Sequence, residues 1–115
     1  MSNYFIKAII LEQCPYSLKA EKLLKNNNIT TDFVYVNHND KHGHKSHKIN
    51  TFPQLYLKKY NNNGNLLLGG YDDLNEFINN FKGTKYDEIK INNFIKKNKD
   101  WSKKATLRLI ELINN

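Results

Sequence analysis

Hydrophobic and polar positions form blocks along the first third of the chain, and these blocks predict a strand, a helix and a second strand. Tyr4–Leu11 (YFIKAIIL) is an almost continuous apolar run rich in β-branched residues, which is typical of a buried central strand. Ser17–Lys25 carries alanine and leucine at helical spacing, and three asparagines at 26–28 end that helix. Thr30–Asn37 (TTDFVYVN) is again β-branched and predicts a second strand.

The middle of the chain predicts a polar connection followed by a hairpin. His38–Asn50 is polar, contains all four histidines and has room for one or two helical turns. Thr51–Tyr60 alternates between apolar and polar residues, which predicts a third strand. The NNNG sequence at 61–64 is a strong turn signal, and Asn65–Gly70 pairs back as the last strand.

Amphipathic segments complete the chain. From Asp72 to Phe81, four apolar residues at helical spacing follow two aspartates in the first turn, which predicts a helix. Gly83 marks a boundary. Beyond it, Asp87–Asn98 and Trp101–Asn114 predict two more helices, or one broken helix, with Trp101 as a packing anchor.

The order of these elements predicts an α/β fold in two parts. Residues 1–82 form a four-stranded mixed sheet flanked by helices, and residues 83–115 form a C-terminal helical tail packed on it. The lysines of the tail are interpreted as the solvated face of an amphipathic helix. Binding of nucleic acid or of an acidic partner is the alternative.

Composition and charge narrow the classes of partner. No apolar run approaches the roughly 20 residues of a membrane span, and we expect neither a signal peptide nor a membrane partner. The net charge is +7, but 17 of the 18 basic residues are lysines. Proteins that read nucleic acids rely on arginine for bidentate contacts, so we expect no nucleic-acid partner. A single cysteine cannot form an internal disulfide, which indicates a reducing, cytoplasmic setting.

The single cysteine, Cys14, lies in the sequence CPYS between the first predicted strand and helix. Pro15 suits the first helical position, because its missing N–H would have no partner there. Cys14 would then face free N–H groups and the positive end of the helix dipole, which stabilise a thiolate. The alternative is a small buried hydrophobic residue. The adjacent proline and the strand–helix junction favour the reactive role.

Three motifs in order resemble those of the glutaredoxins, a family with the thioredoxin fold. CPYS (Cys14–Ser17) is similar to the family's CPYC, TFP (Thr51–Pro53) to its TVP, and GGYDD (Gly69–Asp73) to its GG-x-x-D. The resemblance covers roughly residues 3–82. It implies a thioredoxin-like fold and a glutathione-dependent thiol-disulfide oxidoreductase. Its partners would be glutathione and glutathionylated proteins.

The resemblance also implies roles for individual residues. Cys14 would be the catalytic nucleophile, with Pro15, Tyr16 and Ser17 completing the motif. Pro53 would be cis and face Cys14, while the N–H groups of Asp72 and Asp73 would hold the γ-glutamyl end, with both carboxylates facing outward. Capping of the helix by Asp72 is an additional reading. The implied glutathione-binding residues are Tyr16, Thr51, Phe52, Pro53, Gly70, Asp72 and Asp73.

Ser17 stands where the family's second active-site cysteine would stand. A serine hydroxyl cannot resolve a mixed disulfide, so the dithiol route is closed. The remaining route is a monothiol one, in which Cys14 becomes glutathionylated and a second glutathione regenerates it. A hydrogen bond from Ser17 to the Cys14 thiolate is a further hypothesis.

Other positions depart from the family's pattern. Relatives often carry a lysine three residues before the cysteine, where this chain has Leu11, and a glutamine and an arginine before the TVP motif, where it has Ile49 and Asn50. These residues hold a glutathione carboxylate in the relatives. Lys48 lies close by and is a candidate to replace them.

Two alternative functions remain open. Some monothiol relatives bind a [2Fe-2S] cluster between two subunits, and Cys14 would then be a ligand in a dimer. The best-known cluster binders have CGFS, so CPYS favours the catalytic class and a monomer. A non-catalytic thioredoxin-fold adaptor is the second alternative. We interpret the four histidines as solvated loop residues and expect no metal site, because their spacing (His38, His42, His44 and His47) matches no standard one.

Overall fold

Strands and helices follow one another in the order predicted from the sequence. The computed structural model describes residues 3–83 and 86–115. The strands are β1 (Tyr4–Leu11), β2 (Thr31–Val36), β3 (Gln54–Lys59) and β4 (Asn65–Gly69). The α-helices are α1 (Pro15–Asn26), α2 (Tyr71–Phe81), α3 (Glu88–Lys97) and α4 (Lys103–Ile113). One 3₁₀ turn, Lys41–His44, lies between β2 and β3.

The four strands form one mixed sheet in the order β2-β1-β3-β4. β1 pairs with β2 in parallel and with β3 in antiparallel, and β3 pairs with β4 in antiparallel. β1 is therefore a central strand, as its continuous apolar run predicted. Together with the flanking helices, this topology is consistent with a thioredoxin fold.

One face of the sheet carries the main core. Every second residue of β1 points to this face, and the cluster that they enter includes buried residues of all four α-helices. Among its fully buried members are Ile6, Ala8, Ile10, Leu24, Leu74, Ile91 and Leu109. Both helices of the tail thus contribute to the same core as the sheet.

The other face of the sheet has a much smaller buried cluster. It consists of Ile9, Leu11 and Val36, and the partly buried Cys14 and Phe52 pack against it. The connection between β2 and β3, which contains the 3₁₀ turn, lies against this second face. A 2.7 Å hydrogen bond that the Gln54 side chain donates to the His44 carbonyl ties it there.

The tail forms two separate helices, each with its own N-terminal cap. The Asp87 side chain accepts a hydrogen bond from the Lys90 N–H, and the Ser102 side chain accepts one from the Ala105 N–H. The predicted start of the last helix at Trp101 is therefore wrong by two residues. Trp101 precedes the cap and is only 3% exposed, and its indole N–H donates a 2.9 Å hydrogen bond to the Leu67 carbonyl of β4.

Two further differences from the predicted boundaries concern the starts of elements near the candidate site. β3 begins at Gln54 rather than at Thr51, because Pro53 has no N–H to donate to a neighbouring strand. α2 begins at Tyr71 with Gly70 before it, so Asp72 lies inside the first turn and does not cap the helix. The predicted parts 1–82 and 83–115 include residues 1, 2, 84 and 85, which lie outside the described residues. Along 3–83 and 86–115, no helix combines the length and apolar character needed to cross a membrane.

Candidate active site

Three segments of the chain meet where β1 and β4 end and β3 begins. β1 and β3 are antiparallel, with Ile9 opposite Gln54, and β4 ends beside β3, with Gly69 opposite Leu55. The antiparallel register therefore brings together the three motifs that the sequence singled out. We call the segments Cys14–Ser17, Thr51–Pro53 and Gly69–Asp73 the thiol end of the sheet.

Cys14 occupies the position immediately before α1. The Cys14 N–H donates a 3.3 Å hydrogen bond to the Leu11 carbonyl, which closes a tight turn with Gln13 at a φ of 62°. The Cys14 carbonyl accepts the first helical hydrogen bond from the Leu18 N–H at 3.0 Å, and Pro15 takes the first helical position as predicted. The first-turn N–H groups of α1 have no partner within the helix, so they and the helix dipole favour an anion at this position.

The TFP segment lies directly beside the cysteine. The Phe52–Pro53 peptide bond is cis, as the resemblance implied. The Cys14 Sγ lies 4.0 Å from the Phe52 carbonyl oxygen, and the two side chains share the small cluster on the second face of the sheet. Pro53 is buried, Phe52 is half-buried and Thr51 is exposed.

Ser17 faces inward and is fully buried. Its Oγ accepts a 3.1 Å hydrogen bond from the Leu11 N–H at the end of β1. No hydrogen bond joins Ser17 to Cys14 within the described residues, which does not fit the hypothesis that the hydroxyl serves the thiolate. The reason is local: the tight turn before α1 leaves the Leu11 N–H buried and in need of an acceptor.

The N-terminus of α2 depends on two glycines and one aspartate. Asp73 Oδ2 accepts a 2.8 Å hydrogen bond from the Gly70 N–H, so this carboxylate turns back toward the helix start. Asp73 remains exposed while it accepts this bond. Gly69 has a φ of +130°, and a Cβ there would lie 2.1 Å from Asp73 Oδ2. Only glycine fits this close approach.

An aromatic pair of the exposed Tyr16 and the half-buried Tyr71 connects the starts of α1 and α2. The Tyr16 and Tyr71 rings lie 6.3 Å apart between centroids, and the Lys19 Nζ lies 5.4 Å from the first centroid and 5.9 Å from the second. Such contacts attract a cation to the ring faces. The arrangement keeps a positive charge beside the tyrosine of the CPYS motif.

Gly70 lies inside the thiol end, whereas Lys48 lies outside its three segments. A Cβ on Gly70 would lie 3.7 Å from the Pro53 carbonyl oxygen, so the second and third motifs are in close contact. The Lys48 Nζ lies 3.9 Å from Asp100 Oδ2, between α3 and α4, and both side chains are well exposed. Lys48 therefore has a partner in the tail. Asp72 is exposed in the first turn of α2.

Sequence reasoning missed Gln54, Tyr56 and Tyr71. Gln54 is buried at the start of β3, where its amide bonds to the His44 carbonyl and accepts a hydrogen bond from the Tyr56 hydroxyl. A tyrosine hydroxyl is a neutral donor at neutral pH, and burial raises the pKa of Tyr56 further above its ordinary 10.0. The place of Tyr71 inside GGYDD was a signal for the aromatic pair. Nothing in the sequence marks Gln54.

The histidines form no metal centre in the described part of the chain. Within residues 3–83 and 86–115, no group of three or more histidine, cysteine, aspartate or glutamate side chains is arranged to hold a metal ion. His38 Nε2 lies 3.0 Å from the Glu12 carbonyl oxygen, just before the cysteine turn. A [2Fe-2S] cluster needs four ligands, and this chain has one thiol to offer.

Comparison with known proteins agrees with this geometry. A search of curated proteins finds no significant match. Residues 3–60, about half of the chain, match the family described as Glutaredoxin. The matched part contains Cys14–Ser17 and Thr51–Pro53, and it ends before Gly69–Asp73. Glutaredoxins are thiol-disulfide oxidoreductases that generally use glutathione. The matched sequence, the mixed sheet and the cysteine placed before α1 against a cis-proline loop lead to one conclusion: this chain is a member of the glutaredoxin family.

Proposed function

We propose that the protein removes glutathione from mixed disulfides by a monothiol route. The observation that carries this proposal is the position of Cys14, the only thiol of the chain, before α1 and 4.0 Å from the Phe52 carbonyl oxygen. Ser17, where a resolving thiol would stand, is buried and bonded to the Leu11 N–H. Cys14 has no second thiol of this chain to react with, and the Ser17 hydroxyl cannot resolve a mixed disulfide. The chain therefore cannot follow a dithiol route by itself.

The first step transfers glutathione to the enzyme. The Cys14 thiolate attacks the glutathione sulfur of a glutathionylated substrate, a Cys14–glutathione disulfide forms, and the substrate leaves as a thiolate that takes a proton from water. The first-turn N–H groups of α1 stabilise the attacking anion. The partial exposure of Cys14 leaves its sulfur accessible to the mixed disulfide.

The second step uses free glutathione. Its thiolate attacks the glutathione sulfur of the mixed disulfide on Cys14, oxidised glutathione leaves, and the Cys14 thiolate is regenerated. One free glutathione is thus oxidised for each substrate thiol that is released, and the oxidised glutathione that leaves joins it to the glutathione taken from the substrate. The second glutathione supplies the thiol that Ser17 lacks.

We propose that the bound glutathione lies along the thiol end. Its backbone would pair with Phe52 next to Pro53, as an added strand pairs with a sheet edge. Its γ-glutamyl carboxylate would meet the N–H groups at the start of α2, and Tyr16 would cover the sulfur. Lys48 remains the candidate to bind the other carboxylate of glutathione. That carboxylate would compete with Asp100 for the Lys48 side chain. The proposed contacts are Tyr16, Thr51, Phe52, Pro53, Gly70, Asp72, Asp73 and Lys48.

We also propose a division of labour along the chain. Residues 1–82 would form the glutaredoxin domain and residues 83–115 an extension packed on it. The family match within 3–60 and the shared core of Ile91 and Leu109 with β1 support this division. A single thiol per catalytic unit supports action as a monomer. The absence of any second cysteine fits a cytoplasmic location.

The test is turnover of a glutathionylated peptide by the purified protein with glutathione, beside the Cys14→Ser variant. We expect turnover that depends on Cys14 and equal folding of the two proteins by circular dichroism. The same peptide with a blocked cysteine is the matched control. A colourless protein with no turnover would refute the proposal and indicate an adaptor. A brown protein with a thiolate-to-iron absorption band would instead indicate a bound cluster.

A further inference from the structure

A cavity of about 620 Å³ lies between α2 and α3, outside the residues that match the family. Its floor is apolar and includes Leu68, Phe77 and Phe94, with the last two rings packed edge to face at 5.0 Å. Its walls are polar and charged. A volume of this order accommodates a ligand the size of a few amino-acid residues.

The walls of the cavity carry opposite charges, but the acidic wall already has partners. Asp73 accepts the hydrogen bond from the Gly70 N–H at 2.8 Å, and Glu76 Oε1 lies 3.7 Å from the Lys97 Nζ. The opposite wall contributes Lys90, Lys96 and Lys97. Lys96 has no hydrogen-bond or ion-pair partner within the described residues.

Contacts along the two helices show which end of the cavity meets the active site. The Lys90 Nζ donates to the Asn80 carbonyl, near the end of α2, whereas Lys97 pairs with Glu76, nearer its start. α2 and α3 are therefore antiparallel. Lys97, at the end of α3, lies beside the middle of α2, and the cavity that Lys96 and Lys97 line also includes Asp73 of the first turn of α2.

A short chain of contacts connects the cavity with the thiol. The Cys14 Sγ lies 4.0 Å from the Phe52 carbonyl oxygen, and the Pro53 carbonyl oxygen lies 3.7 Å from the place of a Cβ on Gly70. Gly70 bonds to Asp73, which lines the cavity. A molecule bound in the cavity would thus lie against the same α2 terminus as the proposed glutathione site.

We propose that this cavity binds an acidic segment of the glutathionylated substrate protein. This inference rests on the proposed function and adds a preference among substrates. The unpartnered Lys96 favours a carboxylate, and Lys97 can exchange an exposed pair with Glu76 for a ligand, since both side chains are more than half exposed. The apolar floor takes an aliphatic side chain next to the acidic one. The +7 charge of the chain attracts acidic partners in general.

The activity test compares two glutathionylated peptides of equal length, with glutamate and leucine or with glutamine and leucine beside the cysteine. We expect kcat/KM to be roughly fivefold higher for the acidic peptide, the size of effect that exposed ion pairs produce. The preference should vanish in Lys96→Glu and persist in Lys104→Glu, which changes the net charge equally on an exposed site of α4. It should also vanish near about 1 M salt, where the screening length is roughly 3 Å.

A small substrate separates failure of this inference from failure of the proposed function. The mixed disulfide of glutathione and mercaptoethanol has no peptide to reach the cavity, so the wild type and both variants should reduce it equally. If they do, and the wild type shows no preference for the acidic peptide, the inference is wrong while the proposed function stands. Equal losses in Lys96→Glu and Lys104→Glu would mean general charge attraction and would also overturn it.

Binding gives a readout that does not need activity. Trp101 is the only tryptophan, and its ring packs edge to face on Phe94 of the cavity floor at 5.3 Å. We expect the acidic peptide, made without cysteine, to change the tryptophan fluorescence of the wild type and of Lys104→Glu, but not of Lys96→Glu. If the protein turns over no mixed disulfide at all, this titration still decides the inference. Equal binding of the glutamine peptide would overturn it.

Discussion

The helix-covered face of the sheet and the thiol end are held in place by different interactions. The covered face is a continuous apolar cluster to which all four α-helices contribute. At the thiol end, hydrogen bonds from backbone N–H groups to side chains and special backbone geometries fix the chain. Among them are the bonds from the Leu11 N–H to Ser17 and from the Gly70 N–H to Asp73, and the φ of +130° at Gly69. In the part of the chain that the structure describes, the buried apolar cluster behind the cysteine consists of Ile9, Leu11 and Val36.

This difference indicates where stability and function can be changed separately. Burial of apolar area is non-directional, so the covered face contributes stability without setting the position of any reacting atom. A hydrogen bond is directional, so the thiol end can hold a ligand-binding shape with little buried area. Substitutions on the covered face should therefore lower the free energy of unfolding and leave the chemistry of folded molecules unchanged. Substitutions that disturb the proposed glutathione contacts of the thiol end should affect the use of glutathione.

The largest effect should come from Trp101→Ala on the covered face. The change removes a side chain that is 3% exposed, its contact with Phe94 and its hydrogen bond to the Leu67 carbonyl. We expect the free energy of unfolding to fall by about 3–5 kcal/mol, as for other buried large-to-small substitutions. Urea denaturation measures this fall. Activity per folded molecule on the mixed disulfide of glutathione and mercaptoethanol, which does not reach the cavity, should stay at the wild-type level.

Trp101→Phe separates the loss of buried packing from the loss of the hydrogen bond to the Leu67 carbonyl. It keeps most of the aromatic packing and loses the N–H donor, so it should destabilise the protein by about 1–2 kcal/mol through the unpaired Leu67 carbonyl. A loss in Trp101→Phe as large as in Trp101→Ala would mean that the hydrogen bond dominates. Lower activity in folded Trp101→Ala would contradict the separation of stability from chemistry.

The next effect should come from Gly69→Ala at the thiol end. The added Cβ would lie 2.1 Å from Asp73 Oδ2, and the φ of +130° does not suit an L-residue. Asp73 must then release the Gly70 N–H. We expect a loss of roughly 1–3 kcal/mol in the free energy of unfolding and an increase in the KM for glutathione. Steady-state kinetics with varied glutathione measure the second effect.

Gly43→Ala is the matched control for this substitution. A Cβ on Gly43 meets no atom within 4 Å, so stability and KM should both remain close to the wild-type values. If Gly69→Ala loses stability but keeps its KM for glutathione, the start of α2 does not bind the γ-glutamyl end.

Ser17→Ala should lower the free energy of unfolding and leave the reactivity of the Cys14 thiol unchanged. It leaves the buried Leu11 N–H without its acceptor, which costs about 1–3 kcal/mol. Alanine is the better helix former, so the loss cannot come from helix propensity. The rate of Cys14 alkylation should have the same pH dependence in both proteins. A changed pH dependence would show that the hydroxyl acts on the thiolate after all.

The fold follows from the sequence where one local pattern determines one element. The continuous apolar run was sufficient to predict β1, and the helical spacing of apolar residues was sufficient to predict α2. The boundaries of the two capped helices of the tail were predicted to within a few residues. The strand start at Gln54 was missed because the proline motif continues the alternating pattern beyond the sheet. Periodicity also cannot tell which face of a sheet a helix will cover, so the placement of all four helices in one core was not predicted.

The candidate site was predictable as a set of motifs, because antiparallel pairing brings the end of β1 and the start of β3 together. Its details depend on orientation and on long-range contacts. The inward hydroxyl of Ser17 depends on the tight turn with Gln13 at a φ of 62°, and the aromatic pair depends on how α1 and α2 start relative to each other. The Lys48–Asp100 pair joins segments far apart in the chain. No local pattern contains such information.

The smallest effect should come from Tyr35→Phe, on a surface contact that belongs to neither region. The Tyr35 hydroxyl donates a hydrogen bond to the Glu21 carboxylate, which also pairs with Lys25 at 3.1 Å. The hydrogen bond from Tyr35, with a smaller contribution from Lys25, lowers the pKa of Glu21 below its ordinary 4.5. The same bond, with burial and the negative charge of Glu21, raises the pKa of Tyr35 above 10.0.

The two shifts define a pH window for this contact. A lowered carboxyl pKa gives stability that is present above about pH 4.5 and is lost as the pH falls through the folded value. A raised tyrosine pKa gives stability that is present below pH 10.0 and is lost as the pH rises through the folded value. Tyr35→Phe should therefore lose less than about 1 kcal/mol, and only between these limits. Tyr60→Phe removes an exposed hydroxyl that has no hydrogen-bond partner within the described residues, so urea denaturation across this pH range should show no such window for it. A constant deficit of Tyr35→Phe at every pH would mean that ring packing, and not the Glu21 hydrogen bond, accounts for the loss.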